Sequence, residues 1–273
     1  MINFIVASRA DARGENTIDC VLKQMQNLTA AHVWYHYYVV EWGSPRDGRK
    51  PLHERVCDLG ALGVVFVPDA VADLYSSPVV FNEFTAKNVG VRAALRSTAD
   101  DDLVICTNSD LLFPPLLCEA LAGIPHESMV LYRAPRWDHD GFDADGEPAW
   151  LVGGKHAIGE ACGEAAGDFT GMSASCWSKQ KGYWQSPNHR WHLDSELTLR
   201  TYRGVPPFRV VQLPPCWHQK HEGSGDGGGW RPAHGLEDDA FRANYGLKPG
   251  GGENWGLGNH RWEQRPYGFE VMP

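Results

Sequence analysis

Leu103-Val-Ile-Cys-Thr-Asn-Ser-Asp110-Leu-Leu-Phe113 is the stretch on which the fold turns. Five strand-forming residues run without polar interruption into Asn108-Ser-Asp110, and a second apolar patch follows at once. A short apolar run that stops at polar residues reads as a strand buried on both faces, the kind found in parallel sheets. Ligands of such sheets gather beyond the carboxyl ends of the strands. An Asp at that exit can ligate a hard divalent cation, and the cation can hold a diphosphate. The same three residues also make a good strand-ending turn, so both readings stand on this segment alone.

Working outward, similar runs recur. Residues 2–8, 35–41, 63–67, 129–133 and 208–213 read as further strands. Ile18, Val21, Leu22, Met25 and Leu28 fall at helical spacing, and further helices are expected near 52–59, 80–96, 172–181 and 194–203. Strands alternating with helices predict an α/β fold with a mostly parallel, Rossmann-like sheet and flanking helices. Residues 138–167 read as a long loop, and the glycine-rich runs 223–229 and 249–258 as mobile segments. The expected organisation is one domain over 1–222, with a first part to about 113, a second part from about 129, and a C-terminal extension over 223–273.

Composition narrows the function classes. The chain has 273 residues, a net charge of -9 and a pI near 5.7. It has no long basic run, so no nucleic-acid partner is expected. Seven cysteines are scattered without a CxxC pair, which fits a reducing compartment. With no signal-like N-terminus and no apolar stretch of membrane-spanning length, a cytoplasmic protein is expected.

Several other residues could carry chemistry. Glu41, at the end of the second predicted strand, can accept hydrogen bonds from a ribose or a base, or stand solvated before the Trp42-Gly-Ser turn. Lys87 and Asn88 fall where the helix over 80–96 would meet a ligand crevice. Arg133 and Arg136 flank a proline turn and can clamp phosphate oxygens or pair with surface carboxylates. Asp194 opens a helical run, as a cap or as a base for a hydroxyl nucleophile, with Glu196 as the fallback. His218 and His221 have a metal-ligand spacing but lack a third partner nearby in sequence, so zinc is not indicated. Trp177, Tyr183, Trp184, Trp191, Trp217 and Trp230 offer flat faces for sugar rings, or simply fill a core.

Taken in order, these blocks resemble a glycosyltransferase of the GT-A type, close to the inverting family-2 group. The resemblance rests on Val39-Val-Glu-Trp-Gly-Ser-Pro45, Glu83-Phe-Thr-Ala-Lys-Asn-Val-Gly-Val-Arg92, Leu103 to Phe113, Gly167-Asp-Phe169, Lys181-Gly-Tyr183, His192-Leu-Asp-Ser195 and Trp217-His-Gln-Lys-His221. It extends over roughly residues 1–225, and Asn254-Trp-Gly-Leu-Gly258 resembles a short motif near the end of bacterial relatives. It implies a nucleotide-sugar donor, UDP-linked by default, and a carbohydrate or glycan acceptor. Ser8 and Glu41 then fall at the nucleotide, and Asn108-Ser-Asp110 at the Asp-x-Asp motif that holds the diphosphate through Mn²⁺ or Mg²⁺. Asp194 matches the base of inverting members, and His221 or His218 the late histidine that often ligates the same ion. Asn108 departs from the pattern, because an amide is a weaker ligand than a carboxylate. That departure keeps a second class open, a non-catalytic carbohydrate- or nucleotide-binding protein of the same fold.

Overall fold

The predicted strands lack alternation because the sheet they build is covered on both faces. In the computed structural model, which describes residues 1–9, 17–45, 50–55, 60–76, 81–139, 151–152, 169–185, 193–219 and 250–273, the chain forms a mixed α/β fold. Its strands are β1 (Ile2–Arg9), β2 (Tyr35–Trp42), β3 (Leu62–Val67), β4 (Leu103–Thr107), β5 (Leu111–Leu112), β6 (Val130–Arg133), β7 (Arg136–His139), β8 (Leu151–Val152), β9 (Phe169–Ser173), β10 (Arg209–Gln212), β11 (Cys216–Gln219), β12 (Trp262–Arg265) and β13 (Gly268–Val271). The helices are α1 (Thr17–Ala30), α2 (Leu52–Arg55), α3 (Asp69–Ser76), α4 (Glu83–Ala94), α5 (Pro115–Ala122), α6 (Ala174–Gln180) and α7 (Leu193–Tyr202).

The main sheet has nine strands in the order β10-β6-β9-β4-β1-β2-β3-β13-β12. β1 pairs in parallel with both β2 and β4, β2 with β3, β3 with β13, and β6 with β10. β9 runs antiparallel to β4 and β6, and β12 antiparallel to β13. The chain therefore winds outward from β1 through β2 to β3, then returns to place β4 on the other side of β1. Strand order reverses there, which opens a crevice beyond the carboxyl ends of β1 and β4.

The period of two along each strand sorts the side chains into two cores. Ile2, Phe4 and Val6 face α1 and α5, packing with Val21, Leu28, Leu117 and Leu121. Ile5, Val40, Val104 and Cys106 face α4, α6 and α7, packing with Val89, Trp177 and Leu197. Asn82 caps α4 by accepting from the Thr85 N–H at 3.1 Å. Within that helix Gly90 permits close approach to the sheet. A Cβ there would collide with Ile5 Cγ2 and lie 2.8 Å from Val40 Cγ2.

Two expectations change. The helix expected near 172–181 runs over Ala174–Gln180, and the residues before it, Phe169–Ser173, form a buried strand between β4 and β6 that was not expected. Ser173 accepts from the Cys176 N–H and marks the switch. The glycines from 250 onward form tight turns rather than a loose segment, with Trp255 and Leu257 buried. Beyond them β13 joins β3, so the main sheet draws on residues from both sides of the boundary expected at 222. A smaller sheet, β5-β11-β7-β8, lies beside the crevice.

Candidate active site

The crevice collects its residues by strand register. Ser8 is opposite Glu41 in the β1–β2 ladder, and Val6 is opposite Thr107 in the β1–β4 ladder. The last residues of β1 and β2 and the Asn108–Asp110 turn after β4 therefore share one edge.

Asp110 stands at the mouth of this edge, 31% exposed, and His218 lies beneath it at 3%. His218 Nε2 is 3.2 Å from Asp110 Oδ2. The pairing is set by the small sheet, in which β11 runs antiparallel to β5 and His218 opposes Leu111, the residue after Asp110. A carboxylate and an imidazole side by side form a mixed O,N donor set, which suits Mn²⁺ better than Mg²⁺. Among the described residues no group of three or more His, Cys, Asp and Glu gathers as a complete cage. His221 lies outside the described residues.

Asn108 faces a different partner. Its side-chain oxygen accepts from Lys87 Nζ at 2.6 Å, and the same ammonium is 2.6 Å from Glu83 Oε1, one helical turn earlier. Lys87 is only 1% exposed, so its charge is held at the crevice wall by these contacts. Asn88 does not share that position. About 100° further round α4, it donates to the Tyr183 carbonyl at 2.9 Å and accepts from the Tyr183 N–H at 2.8 Å, fixing the turn after α6 to the helix.

Glu41 is buried at the end of β2. It accepts from the backbone N–H of Leu52 and His53 and lies 2.7 Å from His53 Nδ1. The His53 ring in turn sits between Phe66 and Tyr267, with centroids 4.5 and 4.8 Å away. Glu41 thus anchors the start of α2 under one end of the crevice.

The two arginines separate. Arg133 is fully buried on the α7 side and donates to Thr170 Oγ1 at 2.8 Å and Thr198 Oγ1 at 2.9 Å, tying β6, β9 and α7 together. Arg136, in β7, is half-buried beside Cys216 in the β7–β11 ladder.

Asp194 occupies the first turn of α7 and is 9% exposed. It is a helical residue rather than the residue before the helix. Its carboxylate belongs to the electrostatic surroundings of the Tyr183 phenol, whose pKa burial pushes well above 10. Cys106 and Asp194 push that phenol further up, whereas the neighbouring Thr170 hydroxyl and the charge of Arg133 oppose the rise. Burial likewise pushes the Cys106 thiol up to about 12, which leaves it inert as a nucleophile. Glu196 is fully buried and acts on Arg200, whose guanidinium burial lowers to about 10 while it donates to the Gly182 carbonyl at 2.7 Å. Trp177 and Tyr183 are core residues, with Trp177 Nε1 donating to the Val104 carbonyl. Trp184 and Trp217 are half-buried, and Trp191, Trp230 and the run 223–229 lie outside the described residues.

Sequence reasoning missed Gln24, Tyr37 and Asn27. Gln24 is fully buried on α1 and donates to the carbonyls of Asn108 and Leu111, while accepting from the Tyr37 hydroxyl. Asn27 donates to the Phe113 carbonyl at 2.9 Å. The available signal was a glutamine on the core stripe between Val21 and Leu28, because a polar residue there must find buried partners.

No protein-family model matches the chain, and no curated protein matches it. Among solved structures, the chain is similar to the mannosyltransferase PcManGT from Pyrobaculum calidifontis in complex with GDP-Man and Mn²⁺, at 13% identity and a TM-score of 0.46 over 89% of this chain and 61% of that one. It is similar to S. aureus TarS 1-349 in complex with UDP-GlcNAc, at 10% identity and a TM-score of 0.48 over 81% of this chain and 59% of that one. It is also similar to a mutant Drosophila β1,4-galactosyltransferase 7 with manganese, UDP-Gal and xylobiose, at 13% identity and a TM-score of 0.49 over 99% of this chain and 93% of that one. Two of the three are named as sugar transferases, a mannosyltransferase and a galactosyltransferase. The chain spans about three fifths of the length of PcManGT and of TarS 1-349. Among the described residues no helix is long and apolar enough to cross a membrane.

Proposed function

We propose that the chain is a glycosyltransferase that moves a sugar from a nucleotide-diphosphate donor to a hydroxyl acceptor with inversion at the anomeric carbon. The observation that carries this reading is the Asp110–His218 pair at the mouth of the switch-point crevice, with the buried Lys87 ammonium on the adjoining Asn108. The order of the sequence blocks supports it independently.

Asp110 and His218 would hold Mn²⁺, with His221 as a further candidate. When bound, the ion supplies positive charge against the donor diphosphate. Ser8 lines the nucleotide end with Glu41 supporting it from beneath, Lys87 and Arg136 add fixed positive charge near the diphosphate, and Asn108 orients Lys87. Arg133 acts from below, by holding α7 and thus Asp194 in place. An acceptor hydroxyl gives its proton to the Asp194 carboxylate as its oxygen bonds to the anomeric carbon. The bond from that carbon to the diphosphate oxygen breaks, its electron pair leaves with the diphosphate, and the opposite face is occupied in the product.

A thermal-shift screen of nucleoside diphosphates, each with and without Mn²⁺, tests the donor half. A selective, cation-dependent rise in Tm is expected, and equal response to all or none of them defeats the reading. Such a rise without any transfer to saccharide acceptors would favour the binding-protein reading that Asn108 keeps open.

A further inference from the structure

We infer that Gln24 is a positioning residue for the cation-binding end of the site, acting through the backbone on both sides of Asp110. The inference rests on the glycosyltransferase reading only in taking Asp110 and His218 as ligands of Mn²⁺.

Gln24 lies on the buried stripe of α1 with no exposed surface. Its amide nitrogen donates to the Asn108 carbonyl at 3.1 Å and to the Leu111 carbonyl at 2.6 Å. One side chain therefore grips the turn at both ends, with Ser109 and Asp110 between the held carbonyls. An amide presents two N–H donors on one nitrogen, and no other uncharged side chain of similar length does so. The amide cannot flip, because the two carbonyls only accept and so require the nitrogen, which leaves Gln24 Oε1 to accept from the Tyr37 hydroxyl at 2.9 Å. Tyr37 is itself clamped, with its ring stacked on Phe4 at a centroid distance of 4.9 Å.

Leu111 gives the grip its consequence. The carbonyl that Gln24 holds belongs to the residue opposite His218 in the β5–β11 ladder. Gln24 thus fixes the segment carrying Asp110 against the strand carrying His218. One turn along α1, Asn27 holds the Phe113 carbonyl and extends the same grip beyond β5.

The test measures Mn²⁺ binding by electron paramagnetic resonance, in the presence of saturating UDP and separately of saturating GDP. Thermal stability is measured on the same samples. Gln24→Glu, which keeps the shape but replaces both donors with acceptors, is expected to weaken Mn²⁺ binding by about tenfold. Tyr37→Phe leaves Gln24 in place but removes the donor that steadies its oxygen, and a loss of about threefold is expected, below the roughly tenfold lower end for groups that touch a ligand directly. Asp110→Asn serves as the reference. If Asp110→Asn leaves Mn²⁺ binding unchanged, the site reading itself fails. If Asp110→Asn abolishes it while Gln24→Glu or Tyr37→Phe lowers only Tm, Gln24 is a structural residue and the inference is overturned. Should Gln24→Glu not fold, Tyr37→Phe alone decides the question by the same criterion.

Discussion

The two faces of the main sheet hold the crevice in different ways. On the α1 face the contacts run from side chain to backbone: Gln24 and Asn27 bind the carbonyls of Asn108, Leu111 and Phe113. On the α4 and α7 face the contacts that reach the crevice run from side chain to side chain: Lys87 to Asn108 and Glu83, and Arg133 to Thr170 and Thr198. A backbone grip fixes where a turn sits whatever its side chains are. A side-chain network fixes charges and is sensitive to each residue identity. The first suits a ligand-bearing turn, the second a wall where charge and proton transfer are managed.

That division is most exposed to test at Asp194. Asp194→Asn is expected to lower kcat by about 10² to 10⁴-fold, the usual contribution of a general base, with nucleotide Kd changed less than about twofold. Calorimetry beside steady-state kinetics checks it, and a parallel loss of affinity would move Asp194 to the binding side. Arg133→Met comes next. Removing a charged donor from two buried hydroxyls is expected to cost about 3 kcal/mol in urea unfolding. Unchanged stability with weakened nucleotide affinity would return the guanidinium to the diphosphate. Gly90→Ala should destabilise by about 2 kcal/mol, because the added methyl meets Ile5 and Val40 and α4 must lift from the sheet. If the lift carries Lys87 away from Asn108, nucleotide binding weakens as well, whereas Mn²⁺ binding alone, governed from the other face, should change little.

The smallest effect is a matched pair. Each face buries one phenol whose pKa is pushed well above 10 chiefly by desolvation, Tyr37 and Tyr183. The folded state then keeps a proton that the unfolded state releases above pH 10. Their contribution to stability is complete below pH 10 and is lost as pH rises toward the folded value. Tyr37→Phe and Tyr183→Phe should each flatten the alkaline limb of the stability curve, by at most about 1.4 kcal/mol per pH unit. Denaturant unfolding across pH 9 to 11 reads this slope, and an unchanged slope in either variant refutes the assignment on that face.

What the sequence disclosed follows the same division. Apolar runs ending in polar residues marked β1, β2, β3 and β4, because strands covered on both faces have no reason to alternate. The crevice was legible because Glu41 and Asn108 sit where those runs stop. β9 stayed hidden, since Phe-Thr-Gly-Met-Ser is short and carries a glycine. That glycine is explained only by the fold, where a Cβ at Gly171 would lie 3.0 Å from Ile105 Cγ1. Lys87 and Asn88 looked equivalent as neighbours in sequence, and the rotation between successive helix positions sends one to the crevice and the other to Tyr183. Arg133 and Arg136 looked like a clamp flanking one proline, but they enter different sheets. The Gln24 grip was the hardest to read, because its partners are carbonyls and every residue has one.

The seat of β13 has a bearing on how the fold is assembled. Residues 268–270 lie against 64–66 in the parallel ladder, some two hundred positions later in the chain. Until that late segment docks, β3 presents a bare row of amides and carbonyls along a Val-Val-Phe-Val border, the sort of margin on which neighbouring copies stack. During synthesis the crevice strands can pair long before this flank is sealed, so the interval between the two events is when the nascent protein is most prone to self-association. Shortening the chain before residue 262 would make that interval permanent.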